Sequence, residues 1–146
     1  MTATIRETNV FSDTYLMLYG KISAITDPGG KSRFVFSAFP EKLIDKENAY
    51  PLIVLNSADV TYNPLTFKNL KRGPLRLAIE IYSTSASQLD SLCNSVTTKM
   101  ESEEGNFQIS GISVMRLTSS TPNQFTRGNF RVHNKILVYE FDFGWY

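Results

Sequence analysis

Cysteine is almost missing from this chain. Cys93 is the one thiol in 146 residues, so no intrachain disulfide can form. It stands beside Leu92 on an apolar helical stripe, which reads as a small core residue rather than a reactive one. A lone thiol fits a reducing compartment. Histidine is as scarce. His133 stands alone, whereas metal sites draw on several His, Cys or carboxylate ligands. The acidic residues are scattered, with no D-x-D or H-x-E pair. No G-x-S-x-G elbow is present. A catalytic site, a metal site and a cofactor are therefore not expected.

Neither sign of charge prevails. Fifteen basic residues face fourteen acidic ones, and a dedicated duplex-DNA binder would carry a basic excess. No apolar run nears the roughly 18 residues of a membrane span. The opening MTATIRETNVF lacks the charged-then-apolar pattern of a secretory signal. The expectation is a soluble protein without a membrane partner. DPGGKS at 27–32 superficially resembles a phosphate loop. It lacks the first glycine of G-x-x-x-x-G-K-[ST] and is followed by the strand-like RFVFSAF, so it reads as a turn.

The chain does have a strong change of period. Leu75, Leu77, Ile79 and Ile81 alternate with Arg76, Ala78, Glu80 and Tyr82, the period of a strand with one apolar face. Leu89, Leu92, Val96 and Met100 then recur at steps of three and four, one stripe of a helix. Ser83, Thr84, Ser85 and Ser87 lie between them and offer hydroxyls for a helix start. A helix lying across a sheet is the simplest arrangement. Glu101, Glu103 and Glu104 oppose the dipole of a helix end. The helix is therefore expected to stop near Lys99 or Met100, with SEEGN as a turn.

Residues 4–25 have mostly helical spacing, with Ser12–Asp13 a cap or a break. Phe34 to Phe39 read as a short strand, and EKLIDKENA as a charged insert with one helical turn. The apolar run Leu52–Ile53–Val54–Leu55 predicts a strand covered on both faces, beside the strand at 74–82. FQISGISVMRL and FRVHNKILVYEFDFGWY read as two long strands, joined by the turn-rich 119–129. In the last strand Arg131, His133 and Lys135 share a parity with apolar Leu137, Tyr139 and Phe141. Either a bulge lies near Asn134 or the polar half reaches beyond the core. The fold class is α+β: a central, mostly antiparallel sheet with an amphipathic helix across one face and an N-terminal helix. The length suits one domain, 1–146.

Two loops hold aromatics beside cations. TYNPLTFKNLKRG at 61–73, with Phe67, Lys68, Lys71 and Arg72, is a hairpin arm or an ordered loop. It is either simply solvated or a projecting contact surface. Phe125 and Arg127 lie in the second, NQFTRGN, just before Arg131. Such aromatics stack on single-stranded bases, anchor a protein interface or cap an edge of the core.

The order of motifs resembles the tail terminator and tail-completion proteins of long-tailed bacteriophages. The likeness rests on RGPLRLAIEIYSTSASQLDSLCNSV, with YPLIVL upstream and KILVYEFDF near the end. It covers most of the chain from Ile5 onward as a pattern. DPGGKS and EKLIDKENA match no motif of it. The resemblance implies a virion protein at the head–tail interface, assembled in the host cytoplasm as a ring, usually a homo-hexamer. The ring would cap the phage tail tube, end its polymerisation and offer the surface to which the head attaches. The partners implied are the tail-tube protein, a head-completion or neck protein, and DNA passing through the lumen without sequence specificity. On that basis Phe67, Lys68, Lys71 and Arg72 would contact the tube or line the lumen. Phe125, Arg127 and Arg131 would face a neighbouring subunit. The alternatives are a neck or connector protein on the head side of the joint, and a single-stranded nucleic-acid-binding module.

Overall fold

The computed structural model describes residues 10–25, 34–37, 47–56, 59–60, 63–64, 71–72, 75–110, 112–127 and 129–143. The chain runs α1 (Val10–Ile22), β1 (Val35–Phe36), a 3-10 turn (Glu47–Ala49) and β2 (Leu52–Leu55). Then come β3 (Asp59–Val60), β4 (Asn63–Pro64), β5 (Lys71–Arg72) and β6 (Leu75–Ser83). It ends with α2 (Ala86–Ser102), α3 (Glu104–Ser110), β7 (Ile112–Arg127) and β8 (Phe130–Phe143). The main sheet has the order β1-β2-β6-β8-β7, with β3 also pairing to β6. Only the β1–β2 pair in it is parallel. This is the expected α+β arrangement.

The alternation in β6 does what its period requires. Leu75, Leu77, Ile79 and Ile81 are fully buried on the helix-covered face. Leu89, Leu92, Cys93, Val96 and Met100 of α2 lie over them. Leu18 and Ile22 of α1 and Phe107 of α3 join the same core. Tyr15 and Tyr19 fasten α1 to the strands by donating their hydroxyls to the Leu55 and Val35 carbonyls, both at 3.3 Å. β2 is buried on both faces, as its unbroken apolar run demands, and pairs with β1 on one side and β6 on the other. The junction serines start α2. The Ser85 side chain accepts from the Gln88 backbone N–H at 3.4 Å. Buried Ser83 accepts from the Ser85 N–H at 3.1 Å and donates to the Gln88 side chain at 2.7 Å. Three orphan polar groups are thus satisfied at once.

Several expectations are corrected. Ser12–Asp13 neither caps nor breaks α1; both residues lie inside it. α2 does not end at Met100, nor is SEEGN a turn. The helix reaches Ser102, Glu103 alone interrupts it, and α3 follows at once. The acidic run is tolerated because Glu103 is bound to two lysines and Phe107 buries completely. The strand expected from Phe107 therefore begins only at Ile112.

The turn-rich linker at 119–129 is mostly strand. β7 continues through Pro122 to Arg127, and Arg127 pairs with Phe130. Proline survives there because β7 is an edge strand, where a missing N–H removes no ladder bond. No bulge lies near Asn134 either. β8 keeps register with β6 from His133 to Phe141, and the shifts fall in β7, at Ile112/Val114 and Leu117/Ser119. The polar half of β8 does extend beyond the helix-covered core. There burial switches to the other parity. Val132 joins Phe36, Tyr50, Leu52, Val54 and Tyr82 in a second cluster on the opposite face.

Residues 27–32 and 38–46 lie outside the described residues, and with them the predicted DPGGKS turn and most of EKLIDKENA.

Candidate assembly surface

Neither face of the sheet is uniform, and the two ends of its long strands carry different chemistry. At one end, β3 pairs with β6 through Asp59↔Arg76 and Val60↔Leu75. β4 and β5 form a separate two-stranded antiparallel sheet through Asn63↔Arg72 and Pro64↔Lys71. The predicted loop at 61–73 thus contains a short antiparallel ribbon, whose second strand ends three positions before β6 begins. Lys71 and Arg72 sit on its returning strand; Phe67 and Lys68 lie outside the described residues.

At the other end, Phe125, Arg127 and Arg131 lie within the last pairs of the β7–β8 hairpin, but Arg131 is on the face opposite to Phe125. Their pairs are Phe125↔Val132, Thr126↔Arg131 and Arg127↔Phe130. Arg131 is exposed. Phe125 is half-buried, edge-on to Tyr82 at 6.1 Å, as Phe130 is to Tyr50 at 5.9 Å. Burial, and then the Glu80 charge, push the Tyr82 hydroxyl far up. Phe130 to Phe141 of β8 spans roughly 35 Å of extended strand, so ribbon and hairpin stand at opposite ends.

A third cluster was not singled out in the sequence. On the face away from the helices, Arg76 of β6, Glu140 of β8 and Arg116 of β7 lie side by side in register. Arg76 Nε donates to Glu140 Oε2 at 3.1 Å, and Arg116 donates to Oε1. Glu140 is 8% exposed, while the two arginine side chains are 52% and 47% exposed. The Arg116 and Arg76 guanidiniums hold the carboxyl below its usual range. Ala78, Ile136 and Val138 beside it are only half-buried, so this end of the face is open. The partners are 64 and 24 positions apart. Their only sequence signal was a charge on the polar parity of each strand.

On the helix-covered face the α2–α3 corner is acidic. Glu103 receives Asn106 Nδ2 at 2.6 Å, Lys21 Nζ at 3.1 Å and Lys99 Nζ at 3.4 Å. Asn106, then Lys21, draw its carboxyl down to about 2. Glu101 and Glu104 are exposed on either side.

Cys93 is buried, and burial pushes its thiol up to about 11, the opposite of activation. His133 is half-buried within the β8 ladder, opposite Ser83 and Gln124. Among the described residues no group of three or more His, Cys, Asp or Glu could hold a metal ion. No helix among them is long and apolar enough to cross a membrane.

This arrangement defines a class: a mixed sheet, three helices on one face, a ribbon at one end and an aromatic hairpin at the other. Among solved structures, the chain is similar to a chain of the virion of a native gene transfer agent particle. The match has a TM-score of 0.54 at 9% identity and covers 89% of this chain and 94% of that one. At that identity the likeness is one of fold. No protein-family model and no curated protein sequence matches the chain.

Proposed function

We propose that this chain is a structural subunit of a phage-like virion, acting by binding rather than by catalysis. It forms, as one domain over 1–146, a ring that caps the tail tube, ends its polymerisation and offers a head-attachment surface. The observation that carries this reading is the fold likeness to a virion chain over nearly the whole length of both chains. The two-ended subunit supports it. A ring subunit needs two different surfaces, because head-to-tail contacts close only when the surfaces are distinct. The ribbon with Lys71 and Arg72, together with Phe67 and Lys68 earlier in the same sequence stretch, would meet the tube protein or line the channel through which DNA passes. Phe125, Arg127 and Arg131 on the hairpin would face a neighbouring subunit, six to a ring. A polar, nearly neutral chain suits a lumen along which DNA slides.

Light scattering across concentration, with negative-stain imaging, tests the assembly. Rings formed alone or with tail-tube protein support the reading; a strict monomer under both conditions overturns it. Alanine at Lys68, Lys71 and Arg72 tests the ribbon. Unchanged capping by that triple variant would remove the ribbon from the tube contact. Binding to a head-side protein without capping of the tube would make the chain a neck or connector subunit instead.

A further inference from the structure

The β7–β8 hairpin has two unlike faces. Phe125 and Phe130 lie on the face away from the helices, edge-on to Tyr82 and Tyr50. Strand alternation puts Arg131, His133 and Lys135 on the other face, in steps of about 7 Å. In register with them stand Thr126, Gln124 and Pro122 of β7, and Ser83 of β6 beside His133. None of these neighbours is charged. Arg131 is exposed and has no ion pair or hydrogen bond among the described residues. Lys135 meets one carboxylate, the exposed Asp90 of α2, at 3.9 Å. Glu80 lies on the opposite face of β6, beside Ile136. The Ser83↔His133 pair and the Lys135–Asp90 contact bracket the start of α2, so exposed Ser85 and Ser87 adjoin the row. The sequence shows the same asymmetry. From Gly105 to Tyr139 it has no Asp or Glu, against Arg116, Arg127, Arg131 and Lys135, in a chain of net charge +1. Arg116 is taken up by Glu140 at the far end of the sheet.

Composition selects the occupant of this row. Cations among hydroxyl and amide side chains are the groups that hold nucleic-acid phosphates. A protein interface would draw on aromatic anchors, and those of the hairpin stand on its opposite face. The same absence leaves no platform on which single-stranded bases could stack. We infer that Arg131, His133 and Lys135 bind the phosphate backbone of duplex DNA without reading its sequence. Arg131 and Lys135 supply the charge. His133, Gln124 and Thr126 supply hydrogen-bond donors between them. With so few cations and Asp90 beside Lys135, the contact is weak and salt-sensitive, as suits DNA that passes rather than stays. The inference goes beyond ring formation. It gives the hairpin a second partner on the face that Phe125 does not occupy, with Arg131 at the border of the two, and rests on the virion reading only for the source of the DNA.

Fluorescence anisotropy of a short labelled duplex, titrated with the full chain over a range of salt, is the test. Arg131→Gln with Lys135→Gln is expected to weaken binding at least about tenfold and to reduce the slope of log K against log salt by about 2, roughly one per cation removed. Arg131→Gln alone, at an exposed position without a partner, is expected to give about half of that slope change at an unchanged melting temperature. Asp90→Asn, which removes the one carboxylate beside the row, is expected to tighten binding. Wild-type affinity in the double variant overturns the inference, as does a wild type that binds no duplex even at low salt. Tighter binding to a single strand, lost with Phe125→Ala, overturns it in favour of base stacking. Equal binding to polyglutamate overturns it in favour of an acidic protein partner. Light scattering on the same samples separates this inference from the ring. Rings that persist in the double variant while duplex binding falls support the row as a DNA contact. Rings lost with duplex binding unchanged make the row a subunit contact and overturn it. A strict monomer that still binds duplex through Arg131 and Lys135 sinks the ring alone.

Discussion

Glu140 and Glu103 are each held by two cations, with different consequences when a partner is lost. Glu140 is buried in a three-strand ladder, so its two arginines share the work of compensating it. Arg76→Ala or Arg116→Ala alone leaves the carboxylate with one partner. Removing both leaves a buried charge with neither, which is the costly case. Denaturant midpoints should therefore show the double variant less stable than the sum of the singles, with a coupling of about 0.5–3 kcal/mol. Additive losses would mean that the ladder is not shared. Glu103 bears on acid stability. Its carboxyl is drawn from the usual 4.5 to about 2 in the folded chain. A group lowered on folding contributes fully above its unfolded pKa and loses that contribution as pH falls through the folded value. Wild-type urea midpoints should thus decline between about pH 4.5 and about pH 2, and the Glu103→Gln variant should decline less over that window.

At the scale of elements, α1 and α2 carry opposite kinds of local choice. α2 begins with a complete hydroxyl relay, in which Ser85 accepts from the Gln88 N–H. Ser85→Ala should lower stability by about 1 kcal/mol in chemical denaturation. α1 carries Gly20, exposed within the helix, where an added Cβ would meet no atom within 4 Å. Gly20→Ala should therefore raise stability by about 0.5–1 kcal/mol, since only the entropy of glycine is removed. A loss instead would reveal a close approach at that surface in solution. The hairpin of β7 and β8 shows the same conflict of local and tertiary rules. Pro122 and the STPNQ composition signal turns, yet the stretch is strand because it lies within the edge strand β7, which pairs with fourteen residues of β8.

For the whole molecule, the sheet is a platform with helices on one face and two unlike ends. That asymmetry fits a heterologous assembly better than a two-fold dimer, which would join like surfaces. It predicts concentration-dependent growth toward one closed species rather than a dimer plateau. Light scattering distinguishes the two, since a dimer that stays a dimer at the highest concentration contradicts the ring.

The sequence by itself determined the elements whose period is set by burial on one face. The alternation of Leu75 to Ile81, the stripe from Leu89 to Met100 and the doubly covered Leu52–Leu55 were legible because each repeats a single geometric demand. The class of fold followed from them. The candidate site was legible only as composition, in Lys71, Arg72, Phe125, Arg127 and Arg131. Only the tertiary structure decided where these stand relative to one another. It also decided that SEEGN is helical on both sides of Glu103, where Glu103 meets Lys21 of α1. It changed the turn-like 119–127 into an edge strand, and moved burial across the sheet at Val132. It brought Arg76, Glu140 and Arg116 together, since register across three strands depends on the packing of the whole core and leaves no mark in local sequence.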